Sequence, residues 1–158
     1  MRCSLQRNTA NTTDVTDHYF FDISDNNLNE LPKEIGNLTK LTDLWINDNE
    51  LRKIPKDIGN LKNLNTLYLY SNMIMELPSE IGNLKNLESF YIYENRISNL
   101  PEEITKLVNL KLLNIEYNGL KKLPDTIGEM INLINIYLDD NQLKELPKSI
   151  GKLKKLKT

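Results

Sequence analysis

Asn26, Asn49, Asn72, Asn95, Asn118 and Asn141 recur at a constant interval of 23 residues. No other feature constrains the fold so strongly: a chain with a short fixed period builds stacked copies of one unit, each burying its apolar face only against its neighbours. The six prolines keep the same interval. Pro32, Pro55, Pro78, Pro101, Pro124 and Pro147 each follow an asparagine by six residues, and a glycine follows four residues later in every copy but one, where Thr105 stands instead.

Written from its first position, the unit is LxxLxLxxNxLxxLPxxIGxLxx, with copies at 18–40, 41–63, 64–86, 87–109, 110–132 and 133–155 covering 138 of the 158 residues. Each copy has seven apolar positions, and of the resulting 42 places only His18 is not apolar. The opening L-x-L alternates with period two, which predicts one short strand with a single buried face per coil. The asparagine that ends the strand carries both a donor and an acceptor for backbone groups left unpaired where the chain turns, so stacked coils predict an asparagine ladder. In L-P-x-x-I-G-x-L the proline suits the start of a short helix or 3₁₀ turn, where its missing N–H costs nothing. Glycine is expected to let the chain turn back. The strands then form one continuous parallel sheet lining a horseshoe.

These residues resemble the 23-residue leucine-rich repeat with the L-P-x-x-I-G-x-L signature, and the resemblance spans 18–155. Similar units occur in bacterial proteins, including large spirochaete families, and in intracellular Ras-associated scaffolds of plants and animals. The resemblance implies an α/β leucine-rich-repeat solenoid with a parallel sheet on the concave side and short helices or 3₁₀ turns on the convex side. It also implies a protein-interaction role, with no shared catalytic residue to carry over.

Both ends raise the question of a cap. One period before Asn26 lies Cys3, with Leu5 and Val15 at two further core positions, so residues 1–17 read either as a degenerate N-terminal coil or as a leader. Asn8 and Thr12 stand where other copies have Leu and Ile, which weighs against the coil. Residues 156–158 begin another unit without completing its strand, leaving an edge that Lys152, Lys154, Lys155 and Lys157 would guard against pairing. A truncated chain or an edge used for self-association are the alternatives.

In each strand, positions four and six point into the core, so positions three, five, seven and eight form the concave face. Of those 24 residues, eight are aromatic: Phe20, Trp45, Tyr68, Tyr70, Tyr91, Tyr93, Tyr117 and Tyr137. Eight more are acidic: Asp22, Asp25, Asp43, Asp48, Glu94, Glu116, Asp139 and Asp140. None is Lys or Arg. A net charge of −2 therefore hides a face of −8 and a remainder of +6. Trp45, Tyr68 and Tyr91 fall on consecutive strands, roughly 5 Å apart, with Tyr70 and Tyr93 further along the same strands. Cross-strand aromatics stabilise sheets, but the core is complete without these. Their exposed area, on the order of several hundred Å², is of the size that marks an interaction site.

The sequence thus points to a non-catalytic module binding a protein or peptide that carries basic residues, with Trp45, Tyr68, Tyr70, Tyr91 and Tyr93 at the centre and Asp48, Glu94 and Glu116 beside them. A carbohydrate is the rival ligand, and a structural or self-associating module the third reading. His18 at a core position and the isolated Cys3 offer no catalytic pair, and carboxylates on an open sheet lack a desolvated cleft. No cofactor or metal loop is recognisable. The acidic face disfavours nucleic acid, no apolar run suits a membrane span or signal peptide, and a single cysteine permits no internal disulfide. A monomeric, cytoplasmic protein is the default expectation.

Overall fold

The computed structural model describes residues 6–7 and 18–158. Six short parallel strands, β2 (Tyr19–Asp22), β3 (Asp43–Trp45), β4 (Thr66–Tyr68), β5 (Ser89–Tyr91), β6 (Leu112–Asn114) and β7 (Asn135–Tyr137), stack in chain order into one unclosed sheet. The register repeats with the sequence period, so that Trp45 pairs with Tyr68, Tyr68 with Tyr91, Tyr91 with Asn114, and Asn114 with Tyr137. A two-residue strand, β1 (Gln6–Arg7), pairs antiparallel with β2 at the N-terminal edge. Cys3, Leu5 and Val15, on which the cap reading rests, lie outside the described residues.

Opposite the sheet, each coil makes one 3₁₀ turn: Lys33–Asn37, Lys56–Asn60, Ser79–Asn83, Glu102–Lys106, Ile127–Glu129 and Lys148–Lys152. In five of the six a proline sits immediately before the turn, with φ between −64° and −67°, as its ring requires. The apolar positions of coils 2 to 5 are all buried except Leu100, which is partly so. Towards the ends burial fades: Phe21, Ile23 and Leu28 are half-buried, and Leu146 is 55% exposed. His18, at a core position in sequence, is exposed.

The asparagine ladder runs from Asn49 to Asn141. Asn72 accepts from the Leu51 N–H at 3.0 Å and donates to the carbonyls of Ile46, Leu69 and Tyr70, and so fastens one coil to the previous one. Asn49, Asn95, Asn118 and Asn141 repeat the pattern. A second ladder runs along Asn63, Asn86, Asn109 and Asn132, each donating to a carbonyl of the preceding coil at 2.8–2.9 Å. Its 23-residue spacing was in the sequence, but a polar position flanking the apolar frame does not stand out by hydrophobic pattern.

The glycine has a different role from turning the chain. No glycine has positive φ. A Cβ on Gly36, Gly59, Gly82 or Gly128 would lie 2.2–2.6 Å from a backbone oxygen of the next coil, so glycine is required for close approach. Thr105 shows the consequence of a side chain there. Its Oγ1 bonds the Glu102 carbonyl and lies 3.3 Å from Thr126 Oγ1, and the next turn is shortened to Ile127–Glu129.

At the C-terminal edge, the Ile136 N–H donates to the Thr158 carbonyl and the Lys157 N–H to Ile134, so the edge is partly paired rather than fully open.

Candidate functional site

The short strands hold the position-four residues Leu44, Leu67, Phe90 and Leu113 fully buried, which forces the adjacent position-three and position-five side chains to the concave side. The aromatic residues there touch. Phe20 and Trp45 have ring centroids 6.5 Å apart, Trp45 meets Tyr68 edge-on at 5.2 Å, and Tyr68 stacks on Tyr91 at 4.7 Å with only 6° between planes. Tyr70 stacks on Tyr93 at 4.5 Å, and Tyr68 joins the two rows edge-to-face at 6.4 Å. Such geometry suits the ring quadrupoles. Trp45 remains 41% exposed although it is the largest residue of the patch. Tyr117, 54% exposed, and Tyr137 make no ring contact with this cluster among the described residues.

Five of the eight carboxylates are held by uncharged donors. Asp22 accepts from the Ser24 N–H and hydroxyl, Asp43 from Thr42 Oγ1, Asp48 from Asn47 Nδ2, Glu94 from Ser71 Oγ, and Glu116 from Asn114 Nδ2. Asp139 and Asp140 are exposed. Within residues 18–158, the only basic side chain within 4.0 Å of any of these carboxylates is His18, whose Nδ1 is 4.0 Å from Asp43. Ion pairs of Lys106 with Glu103 and of Lys111 with Glu88 lie off the face. Five of the eight carboxylates are thus oriented by neutral donors, and within residues 18–158 no lysine or arginine forms an ion pair with any of them.

The phenols are kept neutral. Burial raises the pKa of Tyr93 to about 12, helped by Tyr70, Glu94 and Asp48. Burial also raises Tyr68 and Tyr70, with Tyr91 and Asp48 respectively as the next causes. Asp140 raises Tyr117. Each remains a hydroxyl donor next to carboxylates, which suits a ligand offering cations and carbonyls.

Position eight, at the strand exit, has positive φ in every coil: Asp25, Asp48, Ser71, Glu94, Tyr117 and Asp140 lie between 50° and 54°. For non-glycine residues this conformation costs about 1–2 kcal/mol each. It directs two successive N–H groups, such as those of Asp48 and Asn49, to the carbonyls of Tyr70 and Ser71 in the next coil. The sequence gives almost no sign of it, beyond aspartate at three of the six places.

Comparison with known proteins places the repeat. A family model for the leucine-rich repeat region matches residues 17–96 and 90–158. Among curated proteins, none matches significantly. Among solved structures, a leucine-rich-repeat protein of Leptospira interrogans is 32% identical with a TM-score of 0.64, over 86% of this chain and 46% of that one. The plant peptide hormone receptor RGFR1, in complex with RGF2, is 31% identical with a TM-score of 0.77, over 93% and 28%. A TDR receptor is 31% identical with a TM-score of 0.75, over 80% and 23%. This chain thus spans less than half the length of each.

Proposed function

This chain belongs to the leucine-rich-repeat family, and on that premise we propose that it is a non-catalytic module binding a protein or peptide partner on its concave face. The observation that carries the reading is the cluster of Trp45, Tyr68, Tyr70, Tyr91 and Tyr93, stacked yet partly exposed where the core does not need them. Rigid aromatic side chains with a polar tip are the groups that dominate interface hot spots. The carboxylates of Asp43, Asp48, Glu94, Glu116, Asp139 and Asp140 favour a partner bearing Lys or Arg, chiefly through orientation and association rate. A solved relative in complex with a peptide-hormone-receptor ligand supports a peptide or protein over a small molecule.

The test is capture of the partner by wild type and by Tyr68→Ala/Tyr91→Ala, with thermal unfolding measured on both. Loss of about a hundredfold or more in affinity at unchanged fold is expected if both rings are hot spots. Unaltered affinity overturns the proposal. Binding to free oligosaccharides on a glycan array, with no protein ligand, favours the carbohydrate reading instead.

A further inference from the structure

The aromatic row at position five is interrupted. Tyr68 stacks on Tyr91 at 4.7 Å, so the other face of Tyr91 is turned towards its register partner on the next strand, Asn114, and beyond that stands Tyr137. Asn114 does not continue the stack. Its amide folds back onto Glu116, donating from Nδ2 to Oε2 at 2.8 Å and accepting the Glu116 N–H at 3.1 Å. Two strand spacings of about 4.8 Å separate Tyr91 from Tyr137, which is the width of one missing ring in this row. Beside Asn114, two residues along its strand, Glu116 has a carboxylate whose second oxygen has no hydrogen bond among the described residues.

Resting on the reading that the concave face binds a protein or peptide, we propose that this gap is a slot for one arginine side chain of the partner. A guanidinium is planar and stacks on Tyr91, its N–H groups reach the Glu116 oxygen, and its charge complements a face with no cation of its own. Lysine supplies the charge without the plane. An apolar ring supplies the plane but covers the Glu116 carboxylate without a donor, which is costly.

The probes are N-acetyl-arginine N-methylamide and its lysine counterpart, titrated into the full chain while the Asn114 side-chain amide and the Tyr91 and Tyr137 ring resonances are followed by NMR. The arginine probe produces saturable shifts at all three residues, and the lysine probe binds roughly fivefold more weakly, the size of one stacking contact. Asn114→Tyr, which fills the gap with the residue used in coils 3, 4 and 6, abolishes the response. Glu116→Gln, which leaves the gap and the backbone intact, weakens the arginine probe and keeps the proposal testable if Asn114→Tyr misfolds. Equal response to both probes, no saturable shift, or a response indifferent to Glu116→Gln overturns the slot. If the slot fails while Tyr68→Ala still removes the partner, only the slot falls. If both fail, the concave-face reading falls with it.

Discussion

Replacing Asn72 by Ala tests whether the asparagine ladder holds the coils together. The side chain makes four bonds to backbone, but their loss is unequal. The Ile46 carbonyl keeps a donor in Asn49 Nδ2 at 3.1 Å, Leu69 keeps Asn95 Nδ2 at 3.0 Å, and Tyr70 keeps the Asp48 N–H at 3.1 Å. The Leu51 N–H keeps nothing, and Leu51 is fully buried. An orphaned buried donor costs about 1–3 kcal/mol, and three weakened neighbours with a small cavity add about 1, so a loss of about 2–4 kcal/mol is expected. Asn26 is the control, since among the described residues its side chain bonds only the Ile23 and Ser24 carbonyls of its own coil. Asn26→Ala is expected to cost about 1 kcal/mol or less. Urea unfolding followed by circular dichroism, with the m-value unchanged, reads both differences. Equal losses at the two positions, or an Asn72→Ala protein as stable as wild type, would refute the ladder as a source of stability.

Three further outcomes follow from the same geometry. Gly82→Ala places a Cβ 2.3 Å from the Glu103 carbonyl oxygen and is expected to destabilise by about 1–3 kcal/mol, whereas Gly151, with nothing within 4 Å, gains about 0.4–1 kcal/mol on the same change. Opposite signs in one denaturation series check this. The raised pKa of Tyr93 means that the fold binds its phenol proton more tightly than the unfolded chain does, so that stability is intact below pH 10.0 and is lost as pH rises towards about 12. Tyr93→Phe flattens that alkaline loss, as seen in thermal midpoints across the range. Association with a basic partner slows as salt is raised while dissociation changes little, measured by surface plasmon resonance.

The scaffold was legible because its cause is periodic. Leu44, Leu67, Phe90 and Leu113 repeat at the same place as strand neighbours, and the period alone sets register, so it puts Trp45, Tyr68 and Tyr91 side by side. What was illegible depends on close contact between coils. Gly82 reads as a turn residue until the Glu103 carbonyl is seen against it, and Thr105 reads as a harmless exception until the shortened turn at Ile127–Glu129 follows it. Positive φ at position eight leaves little compositional trace, since Ser71, Glu94 and Tyr117 adopt it as well as the three aspartates. The site divides the same way: which residues face the concavity follows from alternation, while the gap above Asn114 depends on a rotamer that folds its amide onto Glu116.

The most direct test of the central claim is a photo-crosslinking map. One photoreactive residue is placed at Thr66, on the concave strand beside the aromatic rows, and another at Asn83, at the exposed end of a convex 3₁₀ turn. Crosslinks to the partner from Thr66 and none from Asn83 are the predicted result. Crosslinks from Asn83 alone would contradict the account, because the aromatic and acidic face would then be only the inner surface of a scaffold that binds elsewhere.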